Sequence, residues 1–290
     1  MKKFIAILLA AILCLSFAAC GGNDVAEETT APEVTDAVDA SVEETTAVEP
    51  TEETSAEETT VAEETTTVEE TTSAEETAKA PETKEEIVAY FNDAVNSVKT
   101  DAKSVKHHYS KITTNGKGTY PGVVSGILKM LGGAEKFIGD QLAKNSKGES
   151  TYTGSDIDKY FPVEGESYAS KLSASDVSSA TCTEKDGVYT ITIKTVADGK
   201  SSSIQHGQGH APKAFNVILP GTVNDNIPGV ATKIVGLAAM NYPSSTAVIT
   251  VDAATGHVKT ADYKLNWTIN FDEAGVIIPF TTHDNYTITY

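Results

Sequence analysis

The sequence predicts an α+β fold, with N-terminal helices packed on one face of a twisted antiparallel β-sheet. Three observations carry that expectation. An apolar stripe at helical spacing runs through Ile87, Phe91, Ala94, Val95, Val98, Ala102 and Val105, behind a capping-box pattern at Thr83 and Glu86. Strict alternation puts Tyr263, Leu265, Trp267, Ile269 and Phe271 on one side of a strand. The run Asp252-Ala-Ala-Thr-Gly256 between two β-branched segments reads as a hairpin turn, with Gly256 supplying a positive φ. Helices early and strands late place the two kinds of element in separate layers.

The chain opens with Lys2-Lys3, an apolar run from Phe4 to Leu15, and Ser16-Phe-Ala-Ala-Cys20-Gly-Gly22. A basic start, a hydrophobic centre and small residues before a cleavage point make residues 1–19 a secretory signal peptide. Ala18-Ala19-Cys20 resembles the bacterial lipobox, with Phe17 where that motif prefers an aliphatic residue. The resemblance implies that Cys20 is acylated and becomes the first residue of the mature protein. A retained span is the weaker reading, because Phe4 to Ala19 falls short of the roughly 20 residues a membrane helix needs.

Residues 20–84 follow as a stalk. From Asn23 to Lys84 there are 20 Asp or Glu, 2 Lys and 16 Thr, and no Phe, Tyr, Trp, Leu, Ile or Met. Glu-Glu-Thr-Thr recurs at residues 27, 43, 57, 63 and 69. Such a segment buries too little apolar surface to offset the entropy of ordering it, so disorder is expected. A six-residue period is also too short for a solenoid repeat. Self-repulsion extends the stalk toward a limit of roughly 200 Å at about 3.3 Å per residue. That reach suits holding a domain away from a membrane. The threonines also offer sites for O-glycosylation.

The stalk carries −18 of the net −19, and residues 85–290 carry only −3. An acidic partner surface is therefore not implied for the domain. The chain contains no arginine and no basic patch, which argues against nucleic-acid binding.

Residues 85–290 are long enough for a single α+β globular domain. The first helix carries Asn92, Asp93, Asn96, Lys99 and Lys103 on the face opposite its apolar stripe. After a break at Thr113 to Gly118, Pro121 suits a first helical position, followed by Val123, Val124, Ile127, Leu128 and Leu131. Gly132-Gly133 separates this region from Phe137, Ile138 and Leu142. Two short core helices are the expected arrangement, and a mobile or membrane-leaning lid is the alternative. Beyond Gly148 the pattern turns to strands, with Tyr189, Ile191 and Ile193 on one side, then Ala247 to Val251, and a last strand at Tyr286 to Tyr290.

Chemistry-bearing motifs are few. No Gly-x-Ser-x-Gly, His-Glu-x-x-His, phosphate loop or dinucleotide fingerprint is present, and no cofactor is expected. With Cys20 acylated, Cys182 has no internal disulfide partner and reads as a small core residue. His206-Gly-Gln-Gly-His210 offers two histidines four apart, but on a glycine-containing loop rather than a helix that would preorganise them. A metal there needs a third ligand such as His257, His283 or Asp225. His107-His108 are read at the end of the first helix, complementing its dipole from the surface. Ser155-Asp-Ile-Asp-Lys159 reads as a capped short helix, with Asp156 and Asp158 as polar surface.

The signal, the Thr/Glu stalk and a helix-first domain together resemble surface lipoproteins of clostridial-type Gram-positive bacteria. Tyr160-Phe-Pro-Val-Glu-Gly-Glu-Ser-Tyr-Ala169 and Val251-Asp-Ala-Ala-Thr-Gly-His-Val258 are similar to phrases in such proteins. In layout only, the domain resembles lipid-carrier lipoproteins, in which a curved sheet and helices enclose an apolar cavity. The functional expectation is a non-enzymatic binding or structural module, lipid-anchored on the extracytoplasmic face of the membrane. A lipid, glycan or protein would be its ligand, with Leu128, Leu131, Phe137 and Trp267 as candidate contacts. The alternative is an extracytoplasmic metal-dependent hydrolase using His206 and His210.

Overall fold

A computed structural model describes residues 80–122, 125–126, 129, 146–225 and 236–290. The signal peptide, the stalk up to residue 79, and Leu128, Leu131 and Phe137 lie outside the described residues.

Helix α1 (Lys84–Asp101) starts where the capping box predicts. Glu86 N–H donates to the Thr83 hydroxyl at 3.2 Å, and the Glu86 carboxylate accepts from Thr83 N–H at 3.0 Å. Ile87, Phe91, Val95 and Val98 are buried in one hydrophobic cluster that also contains Ile191, Trp267 and Ile288.

The helix ends sooner than its apolar stripe suggests. Ala102 is already extended, and Val105, His107 and His108 belong to strand β1 (Ser104–Thr114). Val105 continues the helical spacing of Val98 and Ala102 by coincidence. The β-branched and aromatic content of 105–114 suits a strand, and pairing on both sides makes it one. Helices therefore do not all precede strands. Val105 and His107 are correspondingly reassigned, from helix stripe and helix end to strand.

The remaining elements are β2 (Ser150–Tyr152), α2 (Ser155–Tyr160), β3 (Val177–Lys185), β4 (Val188–Thr195), α3 (Pro220–Asp225), β5 (Ala238–Asn241), β6 (Thr246–Asp252), β7 (Val258–Phe271) and β8 (Val276–Thr289). The eight strands make one sheet in the order β2-β1-β8-β7-β6-β4-β3, and every pairing is antiparallel. Strand β5 pairs with β7 beyond the end of β6, from Ala238↔Phe271 to Asn241↔Thr268. No helix among the described residues is long and apolar enough to cross a membrane.

Local chemistry explains the turns. Asp186 and Gly187 both have positive φ, 53° and 72°, which is the two-residue turn that matches strand twist between β3 and β4. The β6–β7 turn closes as its sequence predicts, with Gly256 at φ 72°. There the Asp252 carboxylate accepts from Ala254 and Thr255 N–H and pairs with Lys259 at 2.8 Å. Strand β7 alternates as expected over Tyr263 to Phe271 on its apolar side. Its polar side is wet only in part: Thr268 and Asn270 are buried, where Asn270 Nδ2 donates to Ala239 C=O and Asn241 Oδ1 of β5.

The polar side of α1 is not simply solvated either. Asn96 Oδ1 accepts from Ala169 and Ser170 N–H, and its Nδ2 donates to Ser170 C=O. Asn92 grips Leu172 in the same manner. One turn further on, Lys99 is buried, 9% exposed, and its ammonium donates to the carbonyls of Asp158, Val163 and Glu166 at 3.0, 2.9 and 2.7 Å. Burial lowers its pKa to about 8 against the pull of Asp158, Glu166 and Glu164. Positions 92, 96 and 99 thus form a second stripe, which fastens the chain from 158 to 172.

Candidate polar pocket

Strand β8 buries alternate side chains on either side of a half-buried Thr282: Val276, Ile278 and Phe280 before it, Asp284, Tyr286 and Ile288 after it. A carboxylate at a core position needs a partner. It has one. Asp284 Oδ1 accepts from His107 Nε2 at 3.0 Å, and both residues are under a tenth exposed. The other ring nitrogen, Nδ1, lies 3.2 Å from the Tyr152 hydroxyl, within hydrogen-bond reach. The imidazole also stacks on Tyr286, centroids 4.4 Å apart.

A bulge in β1 sets which side chains join them. Val105 pairs with Ile288 and His107 with Tyr286, but the register then shifts so that Tyr109 meets Asn285 and Ser110 meets Asp284. His108 is the extra residue. Odd-numbered positions face the core before it, and Ser110 and Ile112 face that side after it. Without the bulge, Tyr109 and Lys111 would take those places.

A cavity of about 160 Å³ opens on this side, lined by His107, Ser110, Tyr152, Glu164, His206 and Asp284, among others. Lys147 reaches it from the sheet edge, where its backbone bridges to Ser110. Glu164 comes from the segment that Lys99 holds, and Asn216 fixes that segment from the other side. Its Oδ1 accepts from Glu164 N–H at 2.8 Å, and its Nδ2 donates to Tyr160 C=O at 3.3 Å.

The Glu164 side chain is open to solvent at the mouth of the depression but surrounded by protein on most sides. This burial raises its pKa to about 7; Asp284 adds to the rise, while Lys147, His107 and Lys99 oppose it. Burial lowers the pKa of His206, whose Nδ1 has no hydrogen-bond partner among the described residues.

The structure places the other sequence candidates elsewhere. His107, read as a surface residue, is a buried pocket wall. Trp267 is 3% exposed, stacks on Phe280 and does not line the pocket, although its Nε1 donates to Thr282, which does. His206 and His210 have separate surroundings. His210 N–H donates to Asp198 and its Nδ1 to Asp176, which Lys213 and Ser173 also bind. Burial alone would raise the Asp176 pKa, but the hydrogen bonds from Lys213, Ser173 and His210 hold it far below the usual carboxylate range. That triad anchors the short 3-10 turn Ala211–Lys213. No group of three or more His, Cys, Asp or Glu among the described residues could hold a metal ion.

Asp156 and Asp158 lie on α2, as predicted, but its N-cap is Gly154 with no side-chain cap bond. Cys182 is half-buried on β3, and burial raises its thiol pKa, with Glu184 adding to it, away from the thiolate a nucleophile needs.

Sequence reasoning missed Asp284 and Glu164. Asp284 carried a usable signal: a lone acid in register with the buried positions of an apolar strand. No family model, no curated protein and no solved structure matches this chain.

Proposed function

We propose that the protein is a lipid-anchored extracytoplasmic lipoprotein whose folded part is a non-enzymatic binding module, and that the pocket around His107 and Asp284 holds a small polar ligand. The anchor rests on the Ala-Ala-Cys20-Gly-Gly sequence, and the reach on the acidic stalk. In this reading α1 covers the apolar face of the sheet, supported by its buried stripe Ile87, Phe91, Val95 and Val98.

The observation that carries the binding assignment is the His107–Asp284 pair on the core face. Buried polar pairs are a poor source of stability, since apolar side chains of the same size often do as well or better. Here the pair opens onto a cavity walled by further polar groups. Catalysis draws less support. Both ring nitrogens of His107 are engaged, by Asp284 and by the Tyr152 hydroxyl, which leaves it no free nitrogen to activate a nucleophile. A lipid is a poor fit to walls carrying Glu164, Lys147 and Asp284.

The test is a thermal-shift screen of the purified full chain against small sugars, amino acids and organic acids, repeated on Ser110→Trp. A ligand that raises Tm in the wild type and not in the filled variant is the expected result. Equal shifts in both proteins would overturn the assignment.

A further inference from the structure

Above about pH 7, where Glu164 is ionised, the pocket holds two opposite charges that do not satisfy each other. Glu164 and Lys147 line the same cavity and act on one another electrostatically. Yet among the described residues neither side chain makes an ion pair or a hydrogen bond. The other acid of the pocket, Asp284, is already paired with His107. Nearby opposite charges on flexible side chains ordinarily close on each other, since in a concave, partly desolvated site their attraction exceeds that in open water. Here the backbone restrains them. Lys147 is tied to β1 by paired hydrogen bonds with Ser110, 3.0 and 3.1 Å. Glu164 is fixed by Asn216, and its neighbours Val163 and Glu166 by Lys99.

Resting on the binding assignment above, we infer that the ligand is a small zwitterion of free amino-acid size, its ammonium on Glu164 and its carboxylate on Lys147. The size follows from the cavity. About 160 Å³ is well under the ~300–1,000 Å³ of pockets for drug-sized ligands. The two charges thus have to sit on a few atoms, as they do on either side of an α-carbon. Tyr152 and Tyr160, stacked at 4.8 Å, supply an aromatic wall, and His206 a polar one. A neutral sugar would bury both protein charges without a counter-charge, which is costly.

The experiment is isothermal titration calorimetry of the full chain with glycine, alanine, serine and threonine, beside their N-acetyl and amide derivatives and glucose. Glu164→Gln, Lys147→Gln and the remote control Lys259→Ala are titrated in parallel. The expected result is binding of at least one free amino acid, weakened about tenfold or more by blocking either terminus. Each pocket variant is expected to weaken it by a similar factor, and Lys259→Ala to leave it unchanged. Glucose binding that Ser110→Trp abolishes and Glu164→Gln spares would overturn the zwitterion and leave the pocket assignment standing. Amino-acid binding that Ser110→Trp does not touch would overturn the site itself. Circular dichroism of each variant separates lost binding from lost fold.

Discussion

His107 and Asp284 meet 3.0 Å apart, each at a position where its strand otherwise buries apolar side chains. The two residues are 177 positions apart in sequence, and the antiparallel pairing of β1 with β8 brings them together. Breaking this pair from one side strands the other member. Asp284→Leu or His107→Phe alone is expected to cost about 1–3 kcal/mol. The double variant His107→Phe/Asp284→Leu, with both polar groups removed, should recover most of that loss while abolishing ligand binding. Urea unfolding of the three variants measures it, and simple addition of the two single losses would sink the idea.

Lys99→Met leaves the carbonyls of Asp158, Val163 and Glu166 without their shared donor. A loss of about 2–4 kcal/mol is expected, in the range for breaking a buried charged interaction. Hydrogen exchange should report it locally, with protection falling between Val163 and Ser170 and holding in β7 and β8. Uniform loss of protection would mean that Lys99 supports the whole domain and not the segment it touches.

Glu164 predicts a particular dependence on pH. Its carboxyl titrates near 7 in the folded protein and near 4.5 when unfolded, so between those values the folded state binds the more protons. Its contribution to stability is therefore greatest below pH 4.5 and declines as pH rises to about 7. Solvent at the pocket mouth moderates the size of the effect. Stability measured from pH 4.5 to 8 should show the decline in the wild type and a flatter course in Glu164→Gln. Parallel curves for the two proteins would contradict it.

Thr83→Ala removes one half of the capping box at the start of α1. About 1 kcal/mol of stability should go with it, read as a lower Tm with unchanged strand signals in circular dichroism. Thr83→Ser should restore most of the loss, and an unchanged Tm in the alanine variant would show that the cap contributes nothing.

What could be read from the chain was what depends on near neighbours. The Thr83–Glu86 cap, the Asp252–Gly256 turn and the alternation of β7 each involve residues within a few positions of one another, where steric and hydrogen-bonding rules act directly. The end of α1 was misread because Val105 falls on the helical period of Val98 and Ala102, so spacing alone could not mark the change to strand. The pocket was harder still. Its walls come from β1, β8, the 160–164 segment and the 206–222 region, and only strand register reveals that Asp284 faces His107. The polar stripe Asn92, Asn96 and Lys99 looked like a solvated helix face, because nothing in the helix shows that a distant loop will lie across it.

The bulge at His108 decides which side chains of β1 reach the pocket. A residue lost at a surface loop tip shortens a connection and leaves the packing behind it intact. Loss of residue 108, the extra residue of the bulge, would likewise leave Tyr109 and Lys111 outward and Ser110 and Ile112 inward. One residue added to β8 opposite it would instead make the pairing regular, turning Tyr109 and Lys111 inward and Ser110 and Ile112 outward. The pocket would be filled by an aromatic ring and a new cation while every retained residue kept its identity. Relatives of this chain with one residue more in β8 opposite His108 should therefore recognise different ligands, however similar their sequences are elsewhere, and those lacking residue 108 should keep the same one.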